Sequence, residues 1–271
     1  VKPRAFLLHA VLVLGAVLSL GPLLWMVSAS FMPSGQATSL PPEVLPNPAT
    51  LDQYTTLFSR LSMGRYLANS IFVALLVTTV SLLVNSLAGY AFAKLRFRGR
   101  ERLFSALLAL LVIPAQITML PLFLLLREMG LINTYLGVAI PGLASVFGIF
   151  LIRQYALSIP DELLDAARMD GAGEFRIYWS VVLPVLLPIL VTLGIFTFMG
   201  TWNDFLWPLI VLSDDSRYTL PVALANLSGE HVQDIELMMA GAVVTVLPVM
   251  LVFLFLQRYY LRGIMLGSVK G

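Results

Sequence analysis

The chain has no cysteine and only two histidines, His9 and His231. Without cysteine there is no disulfide framework, no thiolate metal site and no cysteine nucleophile. His9 sits in an apolar run and His231 in a polar loop, so neither is placed for metal or acid–base work. Charge is scarce too: 12% of the 271 residues are Asp, Glu, Lys or Arg, about half the share a soluble domain carries. That deficit argues against a water-soluble fold. There is no H-E-x-x-H run, paired carboxylate or facing serine and histidine at depth, which argues against an intramembrane enzyme. A G-x-x-x-x-G-K-[ST] loop is also missing, so the chain does not cradle nucleotide phosphates in that way. Nor do its basic residues interleave with aromatics as a nucleic-acid surface requires, and no nucleic-acid partner is expected.

Apolar residues fill the space left by charge. They make up 59% of the chain, with a mean hydropathy of +0.89, and they gather into blocks long enough to cross about 30 Å of hydrocarbon. The blocks run from about Ala5 to Phe31, Arg65 to Ala93, Leu103 to Leu126, Thr134 to Tyr155, Pro184 to Leu212 and Leu237 to Tyr260. They lack the ten-residue alternation of a barrel, and an open strand would leave amides unpaired in lipid. The expected fold is therefore all-α, a polytopic membrane protein with six transmembrane helices. Lys2 and Arg4 before the first block, with small residues at Ser28 to Ser30, resemble a signal peptide; the block is too long for one and suits a retained span. Prolines at 22, 114, 121, 141, 184, 188, 208 and 248 argue for kinks or broken ends.

Positive charge sets the direction. With a cytoplasmic N-terminus, 13 of the 17 Lys and Arg residues fall inside and Arg60, Arg65, Arg127 and Arg217 fall outside, so both termini are expected in the cytoplasm. The outer loop from about Met32 to Gly64, rich in Pro, Ser, Thr and Asn, predicts little regular structure apart from a short amphipathic helix over Leu51 to Leu61. Polar side chains inside spans are costly in lipid and usually face an interior or an aqueous cavity. The candidates for a solute path are Asn85, Gln116, Thr118, Trp202, Asn203 and Asp204, with Trp202 or Trp207 stacking on a sugar face. The competing reading makes the amides interhelical glue and the tryptophans an interface belt.

One segment departs from this pattern. From Ser158 to Val182 the chain turns polar, and Pro160, Asp161 and Glu162 read as the start of a helix. Gly171 and Gly173 then supply a turn or left-handed cap before a second helix that climbs back at Pro184. The result is a cytoplasmic hairpin exposing Leu163, Leu164, Ala166, Ala167 and Met169, which must pack on its own membrane domain or dock to a partner. A channel or purely structural membrane protein leaves this hairpin unexplained.

Asp165-Ala166-Ala167, three residues, Gly171, nine residues, then Val181-Val182-Leu183-Pro184 resembles the EAA signature of binding-protein-dependent ABC importer permeases. Asp165 replaces the family's Glu and Val181 its Ile. Asn69-Ser70, Ala91-Phe92-Ala93, Trp202-Asn203-Asp204-Phe205, Tyr218-Thr219-Leu220-Pro221-Val222, Met239-Ala240-Gly241-Ala242 and the tail from Gln257 to Gly271 are similar to carbohydrate-uptake permeases of the kind exemplified by the second permease subunit of the maltose system. The resemblance covers nearly the whole chain and is weakest over residues 1 to 60.

It implies a single permease domain over 1–271 with a coupling loop at 158–184 and a cytoplasmic tail at 262–271, in a prokaryotic inner membrane. It implies alternating access for a sugar or sugar-like solute, or alternatively a glycerophosphodiester or other polar solute. ATP and Mg would be bound not by this chain but by two copies of a cytoplasmic ATPase. Further implied partners are a second permease subunit, an extracytoplasmic solute-binding protein and membrane lipid. Residues implied in ATPase coupling are Glu162, Asp165, Ala166, Ala167, Asp170, Gly171, Leu183 and Pro184, with Asp165 offering a carboxylate to a basic group of the ATPase. Ser268, Val269, Lys270 and Gly271 would reach into the ATPase dimer interface.

Overall fold

A computed structural model of the chain describes residues 3–41, 43–230 and 234–266, and among these the regular structure is helical. The first helix, α1 (Pro3–Ala29), leaves Leu8, Leu12 and Leu24 exposed, as suits a helix whose solvent is lipid. A short α2 (Asp52–Ser59) follows, then α3 (Met63–Lys94), whose 32 residues span about 48 Å at 1.5 Å each.

The next two apolar blocks are bent. Helix α4 (Arg100–Ala109) tightens into a 3-10 turn at Leu110–Val112 and meets α5 (Ala115–Glu128) at 105°. The cause is Pro114: the proline ring disfavours the helical region for the residue before it, and Ile113 is extended at φ −82, ψ 117. Helix α6 (Tyr135–Ala139), its 3-10 turn Ile140–Gly142 and α7 (Val146–Ala156) bend by 43°, with Ser145 capping α7 by accepting the Gly148 N–H. Among the described residues four helical stretches are long and apolar enough to cross a membrane, and counting each bent pair as one span gives six.

Beyond α7 come α8 (Asp161–Met169), α9 (Glu174–Ile177) and α10 (Leu183–Trp202). A π turn at Tyr178–Val182 joins α9 to α10, the Leu183 N–H reaching back to the Tyr178 carbonyl. Pro184 has no N–H and its ring would crowd the carbonyl four residues earlier, and the wider turn carries the helix past it. The fifth block, expected from Pro184 to Leu212 with a kink or break at Pro208, is two helices, but the break comes earlier: α10 stops at Trp202, and a separate α11 (Leu206–Val211) holds Pro208. The chain continues through α12 (Leu220–Glu230) and α13 (Ile235–Leu266).

The chain forms two compact units, one of 1–67 with 220–250 and one of 68–219 with 251–271, the division falling within α3 and α13. In the first, α2 forms where a short amphipathic helix was expected, burying Leu57 and Gln53, and the Gln53 amide donates to the Met32 carbonyl at 3.2 Å. Glu236 is buried near the start of α13 and accepts the Ala37 N–H at 2.6 Å.

The second unit has one core where α3, α7, α8 and α10 meet, including Tyr90, Ile152, Leu164, Tyr178 and Leu186. Another gathers Val73, Val77, Leu126, Val138, Trp207 and Val211 from α3, α5, α6 and α11. Asn85 ties α3 to α7: its side chain is fully buried, donates to Ser81 Oγ at 2.8 Å and accepts the Ser145 N–H at 3.0 Å. The helices approach so closely there that a Cβ on Gly148 would lie 2.6 Å from Asn85 Nδ2.

Candidate functional site

The hairpin between α7 and α10 is built as its sequence suggests. Asp161 and Glu162 occupy the first turn of α8 after an extended Pro160. At the other end Gly171 has φ +79, its N–H bonds the Arg168 carbonyl and the Ala172 N–H bonds the Ala167 carbonyl, each at 3.0 Å. These two bonds around a left-handed residue form a Schellman cap. No atom lies within 4 Å of where a Gly171 Cβ would stand, so backbone conformation and not space calls for glycine.

The expectation that Leu164 is exposed is corrected. It is 1% exposed and packs against Tyr90, Ala93 and Ile177, a burial worth about 1.5–3 kcal/mol. With a single helical face available, seating Leu164 turns Leu163 and Met169 outward, 45% and 88% exposed; Phe175 and Trp179, farther along the hairpin, are exposed as well. Ala166 is exposed and Ala167 half-buried. The arm is thus fastened to its own membrane helices on one side, and on the other it exposes Leu163, Ala166 and Met169 among the charged side chains of Glu162, Asp165, Arg168 and Asp170.

Polar ties complete the fastening. Lys94, nearly buried at the end of α3, donates to the Ile159 carbonyl and to Asp161, both at 2.6 Å. That hydrogen bond holds the Asp161 carboxyl below the usual carboxylate range. The Tyr90 hydroxyl donates to Glu174 at 2.8 Å, and Arg168 bridges Glu174 at 2.9 Å and Asp165 at 2.7 Å. Asp165, expected to offer its carboxylate outward, has one oxygen engaged by Arg168 within the same helix, though its side chain stays 67% exposed. Glu162 and Asp170 are exposed and form no ion pair among the described residues, Leu183 is half-buried in the core, and Pro184 is exposed.

A second feature lies where α3, α5, the α6 region and α11 converge. A cavity of about 280 Å³ is walled by apolar side chains such as Val77, Met119 and Trp207 and carries the polar groups of Ser70, Thr118, Thr201, Asp204 and Thr219. Asp204 accepts the Trp207 N–H at 3.4 Å, at the start of α11, and the Trp207 indole donates to the Gly137 carbonyl at 3.2 Å. The Thr219 hydroxyl is buried without a partner among the described residues.

Of the residues expected along a solute path, Thr118 and Asp204 line this cavity. Asn85 does not: both ends of its amide are used between helices, as the glue reading has it. Gln116 is exposed outside the lining, and Asn203 caps the end of α10 by donating to the Met199 carbonyl. Trp202 is 1% exposed and stacks on Phe198 at 5.8 Å, so its ring does not face the cavity. Ser268, Val269, Lys270 and Gly271 lie outside the described residues.

Sequence reasoning passed over Tyr90, Lys94, Arg168 and Glu174, which hold the hairpin, and Asn69, whose amide spans the Tyr135 hydroxyl and the carbonyls of Ser216 and Tyr218. The partners of Tyr90 and Lys94 are 65 or more residues away, whereas Arg168 meets Glu174 and Asp165 within six residues, inside the hairpin itself.

Residues 85–265 match the family model described as binding-protein-dependent transport system inner membrane component. The chain is 38% identical to the arabinooligosaccharides transport system permease protein AraQ of Halalkalibacterium halodurans, covering 94% of this chain and 93% of that one. It is 36% identical to the lactose transport system permease protein LacG of Rhizobium radiobacter over 97% and 95% of the two chains. Among solved structures, a bacterial ABC transporter involved in the import of the acidic polysaccharide alginate has a chain that superposes with a TM-score of 0.84 at 26% identity, covering 95% of this chain and 97% of its own.

Proposed function

The chain belongs to the family of binding-protein-dependent transport system inner membrane components, and from that premise we propose that it is the permease subunit of an ATP-binding-cassette importer for a sugar or sugar-like solute. The observation that carries the reading is the hairpin: a capped, glycine-turned arm tied to α3 and α10 that presents Leu163, Met169 and Phe175 to a partner. A solvated connector needs neither the ties nor large apolar side chains held out to solvent. A separate ATPase, two copies of which hold ATP and Mg, grips that arm. Its closure moves α3 and α10 with the hairpin, because Lys94, Tyr90 and Leu164 leave little play between them.

In this reading the hairpin end is cytoplasmic, as the charge split requires, with both termini on that side. Glu162, Asp165 and Asp170 form the acidic rim of the coupling surface, Asp165 in partnership with Arg168. The tail Ser268 to Gly271 reaches the same ATPase. A second permease of similar build completes the pathway, since one chain encloses only a small cavity, and a solute-binding protein delivers the solute from outside. Within the cavity, Asp204 and the hydroxyls of Thr118 and Thr219 exchange hydrogen bonds with solute hydroxyls against the face of Trp207. Such a set suits a polyhydroxylated ligand: a few fixed polar groups on an apolar wall.

The test is uptake. Vesicles containing the chain with its co-purifying subunits are expected to accumulate a labelled neutral oligosaccharide only when ATP and the binding protein are both supplied. Accumulation that persists without ATP would remove the proposal.

A further inference from the structure

The loop joining α3 to α4 and the first turn of α4 carry Arg96, Arg98, Arg100 and Arg102 within seven residues, and the single acid among them is Glu101. Glu101 is already shared by two guanidinium groups, Arg100 at 3.0 Å and Arg153 at 3.3 Å. Arg96, Arg98 and Arg102 are exposed and form no ion pair among the described residues. Arg96, Phe97, Gly99, Arg100, Glu101 and Arg102 line an open groove of about 630 Å³, the Glu101 carboxylate within it being held by Arg100 and Arg153. Arg96 also feels the Asp161 carboxylate of the hairpin, so Arg102 is the groove cation with no acid facing it among the described residues. The surplus of positive charge on this surface calls for an anion.

The groove's position says which kind. Helix α4 begins inside it and turns at once to exposed apolar side chains, Leu103 at 55%, Leu110 at 51% and Leu111 at 52%. Phe97, 41% exposed, stands on its rim. A helix that faces hydrocarbon from its first turn onward puts its starting arginines at the level of the lipid headgroups. Arginine is also suited to phosphate, which it can meet with two parallel N–H donors.

We propose that this groove is a binding site for one anionic phospholipid headgroup, with Arg96 and Arg102 meeting the phosphodiester and the acyl chains lying along α4. Such a lipid fixes the α3–α4 corner next to Lys94, the residue that ties α3 to the hairpin. The site does not depend on what the importer carries.

The test is native mass spectrometry of the full chain with its co-purifying subunits, exchanged into detergent with graded phosphatidylglycerol or phosphatidylcholine. One phosphatidylglycerol per chain is expected to be retained in preference to phosphatidylcholine. Each arginine removed is expected to weaken retention about fivefold, so Arg96→Gln with Arg102→Gln weakens it about thirtyfold. Arg98→Gln, the same charge change outside the groove lining, is expected to weaken it less than Arg102→Gln does. The double Lys variant, Arg96→Lys with Arg102→Lys, keeps most of the binding and carries the test if the Gln pair does not assemble. Equal losses for Arg98→Gln and Arg102→Gln would mean diffuse attraction and overturn the site. Complete displacement by inorganic phosphate would make it a free-phosphate site, and unchanged lipid retention with lost ATPase co-purification would make it a protein contact; either overturns the proposal.

Discussion

Substituting Gly171 separates two reasons for a glycine in the coupling hairpin. Its φ of +79 is adopted readily by glycine, tolerated by asparagine and costs other residues about 1–2 kcal/mol, more if β-branched. No neighbour lies within 4 Å of the added Cβ, so the chain itself contributes no clash. The two cap hydrogen bonds supply about 1–3 kcal/mol together. A penalty of about 2 kcal/mol for Gly171→Val, roughly a thirtyfold shift in the ratio of capped to open hairpin, is therefore enough to undo the cap. Gly171→Ala at about 1 kcal/mol would weaken it without abolishing it. The expected order of ATP-driven uptake in vesicles is Gly and Asn together, then Ala, then Val, with the protein still present in the membrane for all four. If Gly171→Asn fails as completely as Gly171→Val, backbone conformation is not the reason, and close approach of a partner must be.

Asn85→Leu is expected to cost about 2 kcal/mol by leaving the Ser145 N–H buried and unpaired, lowering Tm in detergent while the KM for uptake stays unchanged; a raised KM at constant Tm would return Asn85 to the solute path. Thr219→Val keeps the shape but deletes the buried unpaired hydroxyl, so KM should rise about fivefold for one lost hydrogen bond to solute with no fall in Tm. An unchanged KM would exclude Thr219 from the path. The lowered Asp161 carboxyl makes the Lys94 tie fully present above the ordinary carboxylate pKa of about 4 and lost only as pH falls through the lower folded value. The ratio of wild-type to Asp161→Asn uptake should therefore hold constant from about pH 8 to about pH 6, and a ratio that collapses over that interval contradicts this assignment.

The sequence made the apolar blocks and the hairpin legible because each is a local pattern: long runs without charge, then acids, Gly171 and Pro184 at fixed spacing. The left-handed cap at Gly171 is such a local property, and it is where it was expected. Proline was a poorer guide. Pro114 breaks its block into two helices at 105°, whereas Pro22, Pro121, Pro188 and Pro248 sit inside helices that continue through them. What differs is that the residue before Pro114 left the helical region whereas the helices run on through the other four, and spacing does not reveal that. The solute-path residues were the least legible. A polar side chain in a span must find a partner, but Asn85 found Ser81 and Ser145 whereas Asp204 found a cavity, and the difference is tertiary. The ties through Tyr90, Lys94 and Glu174 were hidden for the same reason.

Because the chain lacks cysteine, a single Met169→Cys substitution at a side chain 88% exposed on the hairpin reports on that surface alone. Thiol crosslinking during ATP turnover is expected to join this position to the ATPase and to leave a matching Leu45→Cys, far from the hairpin in sequence and 73% exposed, unlinked. Free maleimide labelling at 169 through every stage of turnover, with no ATPase adduct, would contradict the account at its centre.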